Sequence, residues 1–486
     1  MTNESLILAA LLVPLAGAGL IAAAGRFPNL REGVTLLTAG LLLACVVSLL
    51  PSVLAGGRPA AVLLEVLPGL AIAFRVEPLG MLFALVASGL WIVNSIYSIG
   101  YMRANEEANQ TRFYVCFALA LAATMGIALA GNMFTLFAFY ELLTLVTYPL
   151  VTHSGSEEAR RGGRTYLGVL MGTSIMFLLP ALIITWSVAG TTDFTVGGIL
   201  ADKLDAISLG GLLALYVFGI GKAALMPFHR WLPAAMVAPT PVSALLHAVA
   251  VVKAGVFTVV KVIVYVFGVK ALADAGGAAW LVGIAGFTIV AGSLVALNAS
   301  NLKRMLAYST VSQLSYIVMS AALLAPLSIV GAVLHIVAHA VGKITLFFAA
   351  GAIYTASGKT EVGELDGIGR RMPWTMGAFA IGALSMIGLP PAAGFVSKWY
   401  MLSGAMAGSQ VFAVAVITLS TLLNAGYFLP IVYRAFFRGP AGDDAAHGEA
   451  PRLMVLALAA TATATVLLFF AADLPIALAR QLVEGR

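Results

Sequence analysis

Residues 222–253 read KAALMPFHRWLPAAMVAPTPVSALLHAVAVVK. A lysine opens the stretch and a lysine closes it, with four prolines and two histidines between, although apolar sequence flanks both ends. Proline removes a backbone donor and disturbs the turn before it. A charged side chain at the centre of a bilayer costs roughly 2.5–3.5 kcal/mol on insertion scales. Either feature alone is a fault in a membrane helix. Together they mark a place where protein or water must satisfy both backbone and charge.

The rest of the chain supplies the membrane. Of its 486 residues, 61% are hydrophobic and only 10% are charged. Soluble domains are about half apolar and about a quarter charged. The excess falls in blocks of about 18–25 residues, each long enough to span a bilayer as a helix. The blocks are continuous, whereas strands of a membrane barrel alternate. The sequence therefore predicts an all-α polytopic membrane protein with about 14 transmembrane helices. The block Leu6 to Ala24 follows a start without basic residues and reads as a retained span. Cys45 and Cys116 both lie in apolar blocks, which argues against a disulfide framework or a Cys-ligated metal. No phosphate loop, flavin, haem or iron–sulfur spacing is present, so no cofactor or metal is expected.

The net charge of +6 is not a nucleic-acid signal, because the basic residues sit in loops. Alternate loops carry most of them, among them Arg26, Arg31, Arg103, Arg112, Arg160, Arg161, Arg164, Arg230, Lys303, Arg304, Lys359, Arg370, Arg371, Arg434, Arg438 and Arg452. The opposite loops and the termini carry few: Arg58, Arg75, Lys203, Lys270, Arg480 and Arg486. The positive-inside rule makes the rich set cytoplasmic and places both termini outside a bacterial or archaeal plasma membrane.

Against that apolar background the deep ionisable residues are few: Glu141, Lys222, His247, Lys253, His335, His339, Lys343 and Lys398. His335, His339 and Lys343 are spaced i, i+4, i+8 and so share one helix face. Tyr308, Ser312 and Tyr316 repeat that spacing on the preceding helix, with Ser309 and Gln313 beside them. Two such stripes can hold a polar path through the middle of the membrane. Glu141 is the carboxylate deepest in an apolar block and the natural counter-ion for Lys222. Plainer roles exist. A lysine near a helix end can snorkel, the reading for Lys261 and an option for Lys253. His247 can be a hydrogen-bonded structural residue, and His229 and Arg230 read as interfacial. The accumulation of deep charge favours function.

Helix breaks are expected at Pro227, Pro233, Pro239 and Pro241 after Lys222. A second is expected at Gly388-Leu389-Pro390-Pro391 before Lys398. Paired interruptions in the two halves of a chain point to an inverted repeat with a site near the midplane.

With these residues assembled, the chain resembles the antiporter-like subunits shared by respiratory complex I, Mrp-type cation/proton antiporters and membrane-bound hydrogenases. The resemblance rests on FYELLTLVTYPLV around Glu141 and GKAALMPFHRWLPAAMVAPTPVSALLHAVAVVKAG around Lys222, His247 and Lys253. NLKRMLAYSTVSQLSY, HIVAHAVGKITLFFAAGAI and GLPPAAGFVSKWYM extend it over roughly residues 75–435. The resemblance implies N-terminal helices over 1–111, two inverted five-helix repeats at 112–268 and 278–436, and a last helix within 450–486. It implies a modulating pair Glu141–Lys222, a bridging Lys253 with His247 beside it, a central axis of His335, His339 and Lys343, and a terminal Lys398. Ser312 and Tyr316 support that axis. A lysine at 398 departs from the complex I subunit with a glutamate there. The wording MVAPTPVSALLHAVAVVKAG is most similar to the D-type Mrp component. The implied function is proton translocation within a multisubunit membrane complex, most simply a monovalent cation (Na+)/proton antiporter. The alternative is the pump module of a redox complex whose electrons are handled by partners. A scaffold that only anchors a complex, or a stand-alone solute carrier, are the readings of other classes.

Overall fold

In lipid a backbone must satisfy its own polar groups, which leaves helices as the economical solution for an apolar chain. The computed structural model, which describes residues 2–439 and 447–485, is accordingly mostly helical. Arg486 and most of the polar loop expected near 438–452 lie outside the described residues. Among the described residues, eleven helices are long and apolar enough to cross a membrane. These are α1 (Asn3–Ala23), α2 (Pro28–Leu54), α3 (Pro78–Ala104), α4 (Gln110–Ala128), α5 (Met133–Val151), α6 (Glu157–Ala189), α8 (Thr240–Phe267), α9 (Ala279–Leu297), α11 (Pro326–Ser357), α14 (Val411–Phe437) and α15 (Arg452–Phe470). The others are α7 (Ala206–Gly219), α10 (Leu302–Ala322), α12 (Pro373–Ile387), α13 (Ala393–Ala407) and α16 (Asp473–Glu484).

Two features depart from the expectation. First, the segment before α3 is not helical: β1 (Ala60–Leu67) and β2 (Leu70–Arg75) form an antiparallel hairpin. Pro68 and Gly69 turn it, and Gly69 takes a φ of +78° that suits glycine. Second, the break near Lys222 comes earlier than Pro239 and Pro241. The helix α7 stops at Gly219, and Gly221–Ala223 makes one 3-10 turn. Pro239 instead caps α8 and Pro241 sits in its first turn, where a missing N–H is harmless. The other expected break is in place. The helix α12 ends at Gly388, whose φ is +92°. Pro390 and Pro391 lie in the gap before α13.

Loop contacts sort the two ends of the molecule. At one end the hairpin meets Ala130, Asn132 pairs with Asp193, Asn3 donates to Ser52 and Gln481 donates to the Leu54 carbonyl. Both described termini lie there. At the other end Arg103 pairs with Glu32, Arg112 with the His153 carbonyl, Lys303 with the Ala238 carbonyl and Arg434 with Asp366. This is the arginine-rich end.

The most apolar windows of α8 and α11 are wholly buried, whereas those of α2 and α15 are one-third buried. The helices α8 and α11 form the centre, with α10 packed beside them. Large apolar side chains such as Leu20, Met176, Phe287, Leu422 and Phe470 point outward, as a lipid-facing shell requires. Burial alone gives little drive between helices in lipid, so close approach through small residues matters. Gly255 of α8 lies so close to the Lys222–Ala223 backbone that a Cβ there would collide with the Ala223 nitrogen.

Candidate functional site

Glu141 lies near the middle of α5, and Lys222 enters from the 3-10 turn after α7. The turn is held by the Lys222 N–H donating to the Tyr140 hydroxyl at 3.1 Å and by the Trp231 indole donating to the Gly221 carbonyl at 2.9 Å. The Lys222 ammonium donates to the Tyr140 carbonyl at 2.8 Å and to the Thr144 hydroxyl at 2.6 Å. It also sits over the Tyr140 ring, a further favourable contact for a cation. The expected partner, Glu141, is within electrostatic reach of Lys222, with the Ser174 hydroxyl nearby. Neither carboxylate oxygen makes a direct hydrogen bond. The pair is therefore near but open. Ser174 opens a π-turn, Ser174–Leu178, inside α6, a distortion frequent at functional sites.

A second π-turn, Leu245–Val249, carries His247. Both ring nitrogens of His247 are buried without a partner, and Phe347 stacks 4.6 Å away. One and a half turns on, Lys253 reaches across to His339 Nδ1 on α11. This contact needs one proton between two nitrogens. With Lys253 charged, His339 accepts at Nδ1 and carries its proton on Nε2, which has no other partner. Lys343, one turn along the same face, donates to the Leu306 carbonyl of α10 at 3.1 Å.

His335 completes the face and is fixed on both sides. Gln313 Nε2 donates to the Met386 carbonyl at 3.1 Å, which orients the amide so that its oxygen meets His335 Nε2 at 2.8 Å. His335 Nε2 therefore bears a proton. Its Nδ1 lies 2.8 Å from the Ser397 hydroxyl, which also reaches the Gly394 carbonyl at 3.0 Å. That hydroxyl has one proton and two acceptors. It can donate to Nδ1, or donate to Gly394 while accepting from a protonated Nδ1. The imidazole can thus take up a proton with only a hydroxyl rotation.

Lys398, the residue after Ser397, ends the path. Its ammonium donates to the Met386 carbonyl at 3.0 Å and to the Ile387 carbonyl at 2.9 Å. These are the last carbonyls of α12, where the helix dipole favours a cation. The Tyr316 ring lies 4.8 Å away. The Met386 carbonyl also receives Gln313 and Asn424, so it joins the His335 cluster to Lys398.

Several expectations need correction. Ser312 faces Ser293 at 2.9 Å, one step from Ser420, rather than the histidine face. Tyr308 turns toward His229 and stands outside the path. Lys261 does not snorkel. It is fully buried, 2.5 Å from Glu77 at the head of α3, and donates to the Ala130 carbonyl at 2.8 Å. Glu141 is thus not the only deeply placed carboxylate. Sequence reasoning missed Thr144, Tyr140, Ser174, Ser397 and the Met386 carbonyl. Ser397 and Thr144 carried a signal, as polar residues beside deep lysines. A carbonyl carries none.

Residues 130–424 match the family described as NADH:quinone oxidoreductase/Mrp antiporter, transmembrane. The chain belongs to that family. One antiporter-family relative, the N-type NADH-quinone oxidoreductase subunit of Desulforudis audaxviator, is 35% identical over 379 residues, covering 76% of this chain and 74% of the relative. The D-type Na(+)/H(+) antiporter subunit of Alkalihalophilus pseudofirmus is 27% identical over 377 residues, covering 77% and 75%. Several A-type antiporter relatives are longer, and the chain spans about half their length. Among solved structures, a chain of the Mrp complex from Dietzia sp. DQ12-45-1b superposes with a TM-score of 0.87 at 24% identity, covering 100% of this chain and 98% of that one. The antiporter-family fold therefore extends over the whole molecule, including α1–α3, α15 and α16, which the matched residues do not reach.

Proposed function

We propose that this chain is a proton-translocating subunit of a multisubunit membrane complex, most simply a monovalent cation (Na+)/proton antiporter component of the D type. One observation carries the reading. The buried groups Glu141, Lys222, His247, Lys253, His339, Lys343, His335 and Lys398 lie at mid-height on α5, α8, α11 and the two breaks. Neighbours among them stand in contact or within electrostatic reach. Such residues are expensive in a membrane and persist where ions move.

In this reading the proton passes along a row of bases. Lys222 leaves the Tyr140 carbonyl to pair with Glu141, which changes the field at His247 and Lys253. The Lys253 N–H bond breaks as the His339 Nδ1–H bond forms, and His339 Nε2 releases a proton onward. His335 relays it through Nδ1 and Ser397 toward Lys398. Each shift is a bias on populations rather than a rigid wire. The broken pairs α7 with its following turns and α12–α13 each count as one span, which with α10 gives fourteen. Residues 112–268 and 278–436 form the two inverted repeats, each with its break and its lysine. The arginine-rich end faces the cytoplasm and both termini face outward.

The similarity to a component of NADH-quinone oxidoreductase favours a second reading, in which a redox module drives the same axis. Affinity purification in mild detergent separates the two. Copurifying small membrane proteins without metal support the antiporter. Copurifying iron–sulfur or nickel–iron subunits support the redox pump. A chain that purifies alone and transports alone overturns both.

A further inference from the structure

At the arginine-rich end a cavity of 440 Å³ opens between the α3–α4 loop, the α5–α6 loop, α8, α10 and α11. It descends to Thr240, the first residue of α8, and to Ala350 of α11, the helices that carry Lys253 and Lys343. Its rim holds Glu107, whose side chain keeps 23% of its exposure. Beneath the rim lies His153, whose side chain is 1% exposed and whose two ring nitrogens have no hydrogen-bond partner. The closer nitrogen, Nε2, is 3.8 Å from a Glu107 oxygen, near enough to exchange a proton after a small movement. Deeper in the wall, Lys303 donates to the Ala238 carbonyl at 2.6 Å. It is within electrostatic reach of Glu107 on one side and His247 on the other.

We infer that Glu107 and His153 form the proton-collecting mouth of the chain, feeding the axis past Lys303 to His247. This rests on the proton-translocating role proposed above and names the groups that load it. The pairing of types suits the task. A partly exposed carboxylate meets water, and a buried imidazole beside it accepts the proton without a competing hydrogen bond. Burial pushes the Glu107 carboxyl above the usual carboxylate range, with Lys303 opposing. Burial, then the Arg112 guanidinium, holds the His153 imidazole below its usual range. The two titration ranges therefore move toward each other, which favours sharing one proton. The surrounding charge is mixed. Lys303, Lys359 and Glu158 share the cavity wall with the phenols of Tyr101 and Tyr354. Arg112 faces His153 from behind and donates to its carbonyl at 2.9 Å.

The test uses the assembled complex in liposomes, with proton uptake from the arginine-rich side followed by an enclosed pH dye. The variants are Glu107→Gln, Glu107→Asp and His153→Asn. Glu107→Gln and His153→Asn are expected to slow uptake several-fold above pH 8, where protons are scarce, and to matter little near pH 6. Excess imidazole buffer, which carries protons to the cavity directly, is expected to restore the rate, and Glu107→Asp to keep it. An unchanged pH profile overturns the inference, as does a loss that imidazole leaves in place. Glu141→Gln is run alongside. If it transports fully, the proposed function fails; if it is inactive at every pH while Glu107→Gln behaves as wild type, only the mouth fails.

Discussion

Lysines in the buried layer rest on main-chain carbonyls: Lys222 on Tyr140, Lys343 on Leu306, and Lys398 on Met386 and Ile387. A carbonyl stabilises an ammonium but cannot take its proton, so such a lysine can discharge only to a neighbour that moves or titrates. Lys222→Met and Glu141→Gln are each expected to lower proton flux by at least roughly tenfold, equal to about 1.4 kcal/mol in the barrier, with normal assembly. Lys222→Arg is the sharper case. It keeps the charge but holds its proton, and is expected to be as inactive as Lys222→Met; full flux would exclude proton passage at this nitrogen. Ser397→Ala removes the rotating hydroxyl between His335 and the Gly394 carbonyl. It is expected to slow flux, with Ser397→Thr retaining it, both read in liposomes. Lys261 belongs to a different class, being paired with Glu77 at the membrane edge. Losing one member of a buried pair costs about 3–5 kcal/mol. Lys261→Met is therefore expected to lower thermal stability and assembly yield, and the double variant with Glu77→Gln to recover part of the loss.

At the scale of elements, the breaks and the glycines packed against them set where the lysines sit. Gly255 is pressed against the Lys222–Ala223 backbone, so Gly255→Ala is expected to displace the 3-10 turn. Flux should fall with less loss of assembly than a proline would cause, measured by complex yield beside transport. The helices were legible because apolar blocks of bilayer length have one reading, and the deep lysines because they interrupt those blocks. The hairpin was less so. Its strands, AAVLLEVL and LAIAFR, are as apolar as a span, and only the Pro68–Gly69 pair between them signals a turn. The π-turn at His247 has no sequence signature. The pairing of Lys261 with Glu77 joins residues 184 positions apart, and a snorkelling lysine and a buried one look alike in sequence. Pro239 and Pro241 misled for a related reason: proline ends one helix and begins the next equally well, and only packing decides which.

The whole molecule places its ionisable groups in one layer between two differently charged ends, and the layer runs sideways through α5, α8, α11 and α13. A chain built this way needs neighbours to deliver or collect what moves along it, which is consistent with the multisubunit complexes in which its structural relatives are found. The layer's orientation has an electrical consequence. Moving one elementary charge across a membrane changes its energy by about 2.3 kcal/mol per 100 mV, but a charge that travels parallel to the membrane crosses no potential. Transfer from Lys222 to Lys398 is then electrically silent, and voltage acts only on the short vertical legs, at the cavity beside Glu107 and beyond Lys398. With the potential clamped by potassium and valinomycin, variants along the layer should change turnover without changing its voltage dependence. Variants of the vertical legs should change both.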